Sequence, residues 1–164
     1  MYYLRKINRG KWPSEHTIPQ AKLEDITADT VVSELKTIGN KLSVWKIEND
    51  EDIIDAFIAL ASNSDYLGTI DAIKIDSENM KDLEFDTEVG DTPAIAINEK
   101  HRNIINLNYV SLGKVISAII DAFQKNQNIR KRKSEIKEIL KKACGEGKLK
   151  LEDLSQDIQK HLKN

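Results

Sequence analysis

The side chains of this chain that could transfer a proton or hold a metal are few and far apart. Its three histidines, His16, His101 and His161, show no HxH or HxxxH spacing, so local geometry places no two of them on a common metal. A metal-dependent hydrolase would gather carboxylates at strand ends, and Asp71, Asp76, Glu78 and Glu99 beside Lys100 are the set that fits this description. Their spacing matches no motif. Asp86, Glu88 and Asp91 fall short of a calcium loop, because a glycine stands fifth instead of sixth and Ile97 occupies the place of the bidentate glutamate. There is no GxxxxGKS or GxxxxGKT loop, no GxGxxG after the first apolar stretch and no GxSxG elbow. No cofactor, metal or catalytic residue is therefore expected.

Three other features carry chemistry of contact instead of reaction. Residues 128–142, NIRKRKSEIKEILKK, hold seven basic and two acidic side chains. Arg130, Lys131, Arg132 and Lys133 are close enough to follow a phosphate backbone, and Lys137 and Lys141 continue Lys133 along one helix face at i+4 and i+8. Ile136, Ile139, Leu140 and Ala143 take another face, which is also what an ordinary amphipathic surface helix shows. Against base reading, the tail has no aromatic residue to stack on a base, and Glu152, Asp153 and Asp157 charge its last helix poorly for a DNA groove. The second feature is the acidic stretch Glu78–Asp91, whose Glu78, Asp82, Glu84, Asp86, Glu88 and Asp91 suit a basic partner. The third is the stripe Leu151, Leu154, Ile158 and Leu162 at i, i+3, i+7 and i+11, which must lie on its own domain, a partner protein or a second copy.

With 164 residues the chain suits one domain, and a compact chain of this size buries roughly 70% of the surface exposed by its unfolded form. Its net charge of −2 conceals a separation: +3 over residues 1–47, −12 over 48–91, +2 over 92–128 and +5 over 129–164. Such fields can orient a partner, provided folding does not bring them together. Cys144 is the single cysteine, no apolar segment resembles a signal peptide, and no run approaches the roughly 20 residues of a membrane span. A soluble cytoplasmic protein is expected, and the abundance of Lys, Ile and Asn fits an AT-rich bacterial genome.

The elements that must position these residues follow from periodicity and caps. YYLRKI, KLSVWKI and TIDAIKID read as strands. Between them lie a helix from Thr27 toward Gly39, with Val31, Val32, Leu35 and Ile38 inward, and a helix capped by Asn49, whose Asp50, Glu51 and Asp52 fill its first turn. If parallel, these strands form right-handed crossovers. Residues 77–91 read as a loop or short helix, and Ala94–Asn98 with Asn103–Leu107 as a hairpin around EKHR. A helix capped by Ser111 follows, with Val110 and Val115 as a staple, and then two tail helices near 134–144 and 151–163 around a Gly145–Gly147 turn.

The expected fold is α/β: a mixed sheet of four to five strands flanked by helices, with a C-terminal helical pair. Residues 1–127 form the core domain, and 128–164 a basic helical extension packed on the core or on a partner. The leading functional expectation is a non-catalytic interaction protein, an accessory subunit, adaptor or neutralising protein of a bacterial multi-component system. It would bind a protein partner or its own copy through the acidic surface and the C-terminal stripe, away from any membrane. Nucleic-acid binding through 130–142 is the alternative, and metal-dependent hydrolysis the third reading.

Overall fold

The computed structural model describes residues 1–14 and 16–163. Its strands are β1 (Tyr2–Ile7), β2 (Leu42–Ile47), β3 (Ile70–Asp76), β4 (Glu84–Phe85), β5 (His101–Ile105) and β6 (Asn128–Lys131). They form one sheet in the order β4-β5-β2-β1-β3-β6, and every neighbouring pair is antiparallel. This corrects the expected mixed sheet of four to five strands. The helices are α1 (Ala28–Glu34), α2 (Asp50–Ser62), α3 (Tyr109–Gln124), α4 (Lys133–Gly145) and α5 (Gln156–Lys163).

β1 and β2 are antiparallel neighbours: the connection 8–41, with three short 3₁₀ turns and α1, brings the chain back to the end at which β1 finishes, and Leu4 stands opposite Trp45. β2 therefore starts where β1 ends. The thirteen residues of α2 match a strand, so β2 and β3 run the same way, but β1 lies between them. Strand alternation sends Tyr3, Val44, Ile73 and Ile104 to one face, under α1 and α3. Leu4, Trp45, Ile47 and Ala72 go to the other, under α2, α4 and α5. Both faces are covered, as the two-sided apolar content of the strands requires.

Caps decide where the helices begin. Thr27 accepts from the Thr30 amide, and Asn49 from the Asp52 amide while Asp52 reaches back to the Asn49 amide. α3 begins earlier than expected: Asn108 is its cap and Ser111 completes the box, so Tyr109 and Val110 fall in an exposed first turn and Val110 makes no staple. α1 stops at Glu34, leaving Val32 and Ile38 exposed. Gly39 and Asn40 both have positive φ, 59° and 58°, in a tight turn into β2 closed by Lys41 N donating to Ile38 O.

The expected hairpin over 94–107 is replaced. Ile95–Lys100 is a 3₁₀ segment, in which Ala94 and Ile97 are buried while Ile95 and Ala96 face solvent, a three-residue period that no strand offers. β5 instead pairs with β2 and β4. Of the residues read as an extension, 128–131 are a sheet strand and α4 packs on α2. The last expected helix is broken into a turn at Leu151–Asp153 and α5, with Leu154 extended between them. No helix among the described residues is long and apolar enough to cross a membrane.

Candidate nucleic-acid interface

β6 and the start of α4 form one continuous basic corner. Arg130 lies on β6 opposite Asp71 of β3, with its Nε 3.7 Å from the carboxylate. Arg132 has extended backbone at the helix entrance, where its amide donates to Glu135 Oε2 at 2.9 Å. That backbone bond, followed by the nearby Lys131 charge, holds the Glu135 carboxyl below its usual range. Lys131 is half-buried and pairs with Glu135 at 3.5 Å. Arg132, Lys133, Lys137 and Lys141 have no carboxylate within 4.0 Å among the described residues.

These cations surround a shallow depression of about 930 Å³, lined by Arg130, Arg132, Lys133, Lys137 and His161, with no carboxylate on its wall. His161 reaches it from α5. Its Nδ1 lies 2.9 Å from Asp157 O, and Lys133 Nζ lies 3.0 Å from Nε2, which fixes the ring between a carbonyl and an ammonium. Lys133, Lys137 and Lys141 stand on successive turns of α4, about 5.4 Å apart along the axis. Four long cationic side chains with no carboxylate within 4.0 Å among the described residues keep their charge available to an incoming anion.

Sheet order separates this corner from the acids. Glu84, Asp86 and Glu88 sit on or beside β4, at the opposite edge from β6. Five strand spacings, about 24 Å, lie between, well beyond a Debye length of about 8 Å at physiological salt. Much of the acidic stretch is answered locally. Asp86 and Glu88 pair with Lys41 and accept from Asn103 Nδ2; Glu84 accepts from Asn106, and Asp82 lies 3.4 Å from Lys114. Glu78 and Asp91 remain exposed without an ion-pair partner among the described residues.

The C-terminal stripe is used inside the molecule. Ile158 and Leu154 are buried in the cluster under α2 and α4, and Leu151 and Leu162 pack against it. Leu154 and Ile158 are thus taken up by the core of the chain itself, while Leu151 and Leu162 stay partly exposed at its margin.

The carboxylates of the hydrolase reading do not converge. Asp71 and Asp76, five residues apart on β3, point to opposite faces; Asp71 meets Arg130, and Asp76 caps the turn after the strand by accepting from the Glu78 amide. Glu99 is exposed. Among the described residues no group of three or more His, Cys, Asp or Glu could hold a metal ion.

Lys100 has a different task. Its ammonium bridges Asp52 at 2.6 Å and Asp55 at 2.7 Å, while Lys148 lies 3.3 Å from both Asp55 and Glu51. Burial pushes Asp52 up, but Lys100 and the Glu48 and Asn49 amides outweigh it and hold the carboxyl below its usual range. Burial likewise lowers Lys100, and the two aspartates overcome it to leave the ammonium above its usual range. This network ties the 3₁₀ segment before β5 and the loop after α4 to α2. It thereby fixes the helix that carries the basic face. Asp52 reads from sequence as a first-turn residue only; the signal of its second role is Asp55 three residues on, an acid facing the same buried side.

Comparison with protein-family models, with curated proteins and with solved structures finds no match to this chain.

Proposed function

We propose that the chain is a non-catalytic interaction protein that holds the phosphate backbone of a nucleic acid on the β6–α4 corner. The observation that carries this reading is the depression bounded by Arg130, Arg132, Lys133 and Lys137 with no carboxylate in its wall. Sheet order supports it, since the acidic residues Glu84, Asp86 and Glu88 lie at the far edge. The test is a titration of a labelled oligonucleotide across a salt series. Affinity should fall linearly in log–log form, with a slope of roughly −0.7 to −0.9 per phosphate engaged. Lys133→Glu with Lys137→Glu should reduce the size of that slope by roughly 1.5. Absence of binding at low salt, or binding indifferent to these reversals, overturns the reading.

A second surface favours a protein partner. Tyr109, Val110 and Leu23, 95%, 72% and 46% exposed, surround a depression of about 590 Å³ that Glu78 and Asp82 also line. Exposed apolar anchors rimmed by charges of both signs, Lys81 and Lys114 beside the acids, suit a protein segment that carries aliphatic side chains in a polar rim. Affinity capture from the native cell with wild type and with Tyr109→Glu/Val110→Glu checks this. A partner present in the first and lost in the second supports it; identical recoveries refute it.

A further inference from the structure

A groove of about 490 Å³ adjoins the basic depression, the two sharing Leu67 and Thr69 in their walls. It contains Tyr66, which is 70% exposed and belongs to neither core cluster. Gly68 lets this ring lie against the loop: a Cβ built there would stand 3.2 Å from Tyr66 Cε2 and 3.5 Å from Cδ2. The ring edge at Cδ2 and Cε2 thus lies along the Gly68 main chain, while most of the side chain is open to solvent. Asn63 and Thr69, both exposed, line the same groove.

We infer that the nucleic acid is single-stranded, with one base stacked on Tyr66 in this groove and the adjoining phosphates on Arg132, Lys133 and Lys137. This rests on the basic-corner reading above and extends it to a substrate class. A ring can meet the face of a base only where that base is unstacked, which a duplex interior does not allow, and stacking tolerates any base because every base has a π-face. Charge supports this division of the ligand. The Tyr66 groove has Asp65 and Asp71 in its wall against Lys6 and is the poorer place for phosphate, whereas the neighbouring depression has Arg130, Arg132, Lys133 and Lys137 and no carboxylate in its wall. The neutral part of a nucleotide therefore suits the first and its anionic part the second.

The experiment measures binding of single-stranded RNA, single-stranded DNA, a duplex of equal length and heparin, each at several salt concentrations. Both single strands should bind more tightly than duplex, and their ranking tells whether the sugar contributes. Tyr66→Ala should weaken single-strand binding by roughly 5- to 100-fold, leaving heparin affinity and the salt slope unchanged. Tyr66→Phe should retain it, and Tyr66→Leu, which keeps bulk but no π-face, should behave like alanine. Thermal melting of each variant confirms the fold. If Tyr66→Ala binds single strands like wild type while Lys133→Glu/Lys137→Glu does not, this inference fails and the basic corner stands. If no polyanion binds, both fail.

Discussion

Lys100 Nζ lies 2.6 Å from Asp52 Oδ1, joining the residue that ends a 3₁₀ segment to the first-turn residue that completes the capping box of α2. The aspartate side chain is 7% exposed, so removing its partner leaves a nearly buried charge held only by the Glu48 and Asn49 amides. Lys100→Ala should cost about 2–4 kcal/mol, somewhat less than for a fully buried pair because the lysine itself is partly wet. Urea denaturation gives the value directly. A loss under 1 kcal/mol would show that the bridge does not hold the segment.

The same pair sets a pH dependence at both ends of the scale. Asp52 has a depressed carboxyl, so its contribution is present above the unfolded carboxyl pKa and is lost as pH falls through the lower folded value. Lys100 has a raised ammonium, so its contribution is complete below the unfolded lysine pKa and is lost as pH rises through the higher folded value. Stability should hold a plateau between these limits. In Asp52→Asn the acid-side decline should be shallower, which unfolding free energies measured from neutral to acid pH would register.

Ile158 is fully buried and Leu154 nearly so, which gives α5 a structural weight that a docking helix would not have. Ile158→Ala and Leu154→Ala should each cost about 2–5 kcal/mol, or several degrees of Tm for a chain of this size. Unchanged melting would instead mean that the terminal helix is dispensable to the fold.

Gly90 passes close to the start of β5: a Cβ there would stand 2.9 Å from His101 Cβ and 3.1 Å from Asn98 Oδ1. Gly90→Ala should destabilise by about 1–3 kcal/mol through overpacking. Amide exchange should rise first in 88–92 and at His101, and exchange rising uniformly along the chain would contradict that account.

Strands β1, β2 and β3 and helices α2, α3 and α4 are legible in the sequence because each has a clean period and, in most, a polar cap. Asn49 and Thr27 cap where their side chains predict. The misreadings have local causes. Ser111 and Asn108 are both competent caps three residues apart, and only the completed box shows which one starts α3. Ala94–Ile97 is apolar throughout, so its sequence cannot distinguish a strand from a turn with two buried positions. β6 is masked by its own lysines and arginines, whose pairing with Ile70–Ile73 is a long-range fact. The basic half of the proposed interface is written in one run of residues. The aromatic half we assign to it, Tyr66, is remote in sequence and adjoins it only through the loop before β3.

β6 is the outermost strand on its side of the sheet, so its far side offers backbone groups that no neighbour takes up. Such a border would invite a second molecule to zip on, were it not that Arg130, Lys131 and Arg132 would confront their own counterparts across the seam. Solubility and the ligand capture proposed above would thus draw on the same cations. Replacing them with uncharged residues should abolish one property and, by disarming the border, endanger the other: the neutralised protein would turn up as larger species in a sizing column.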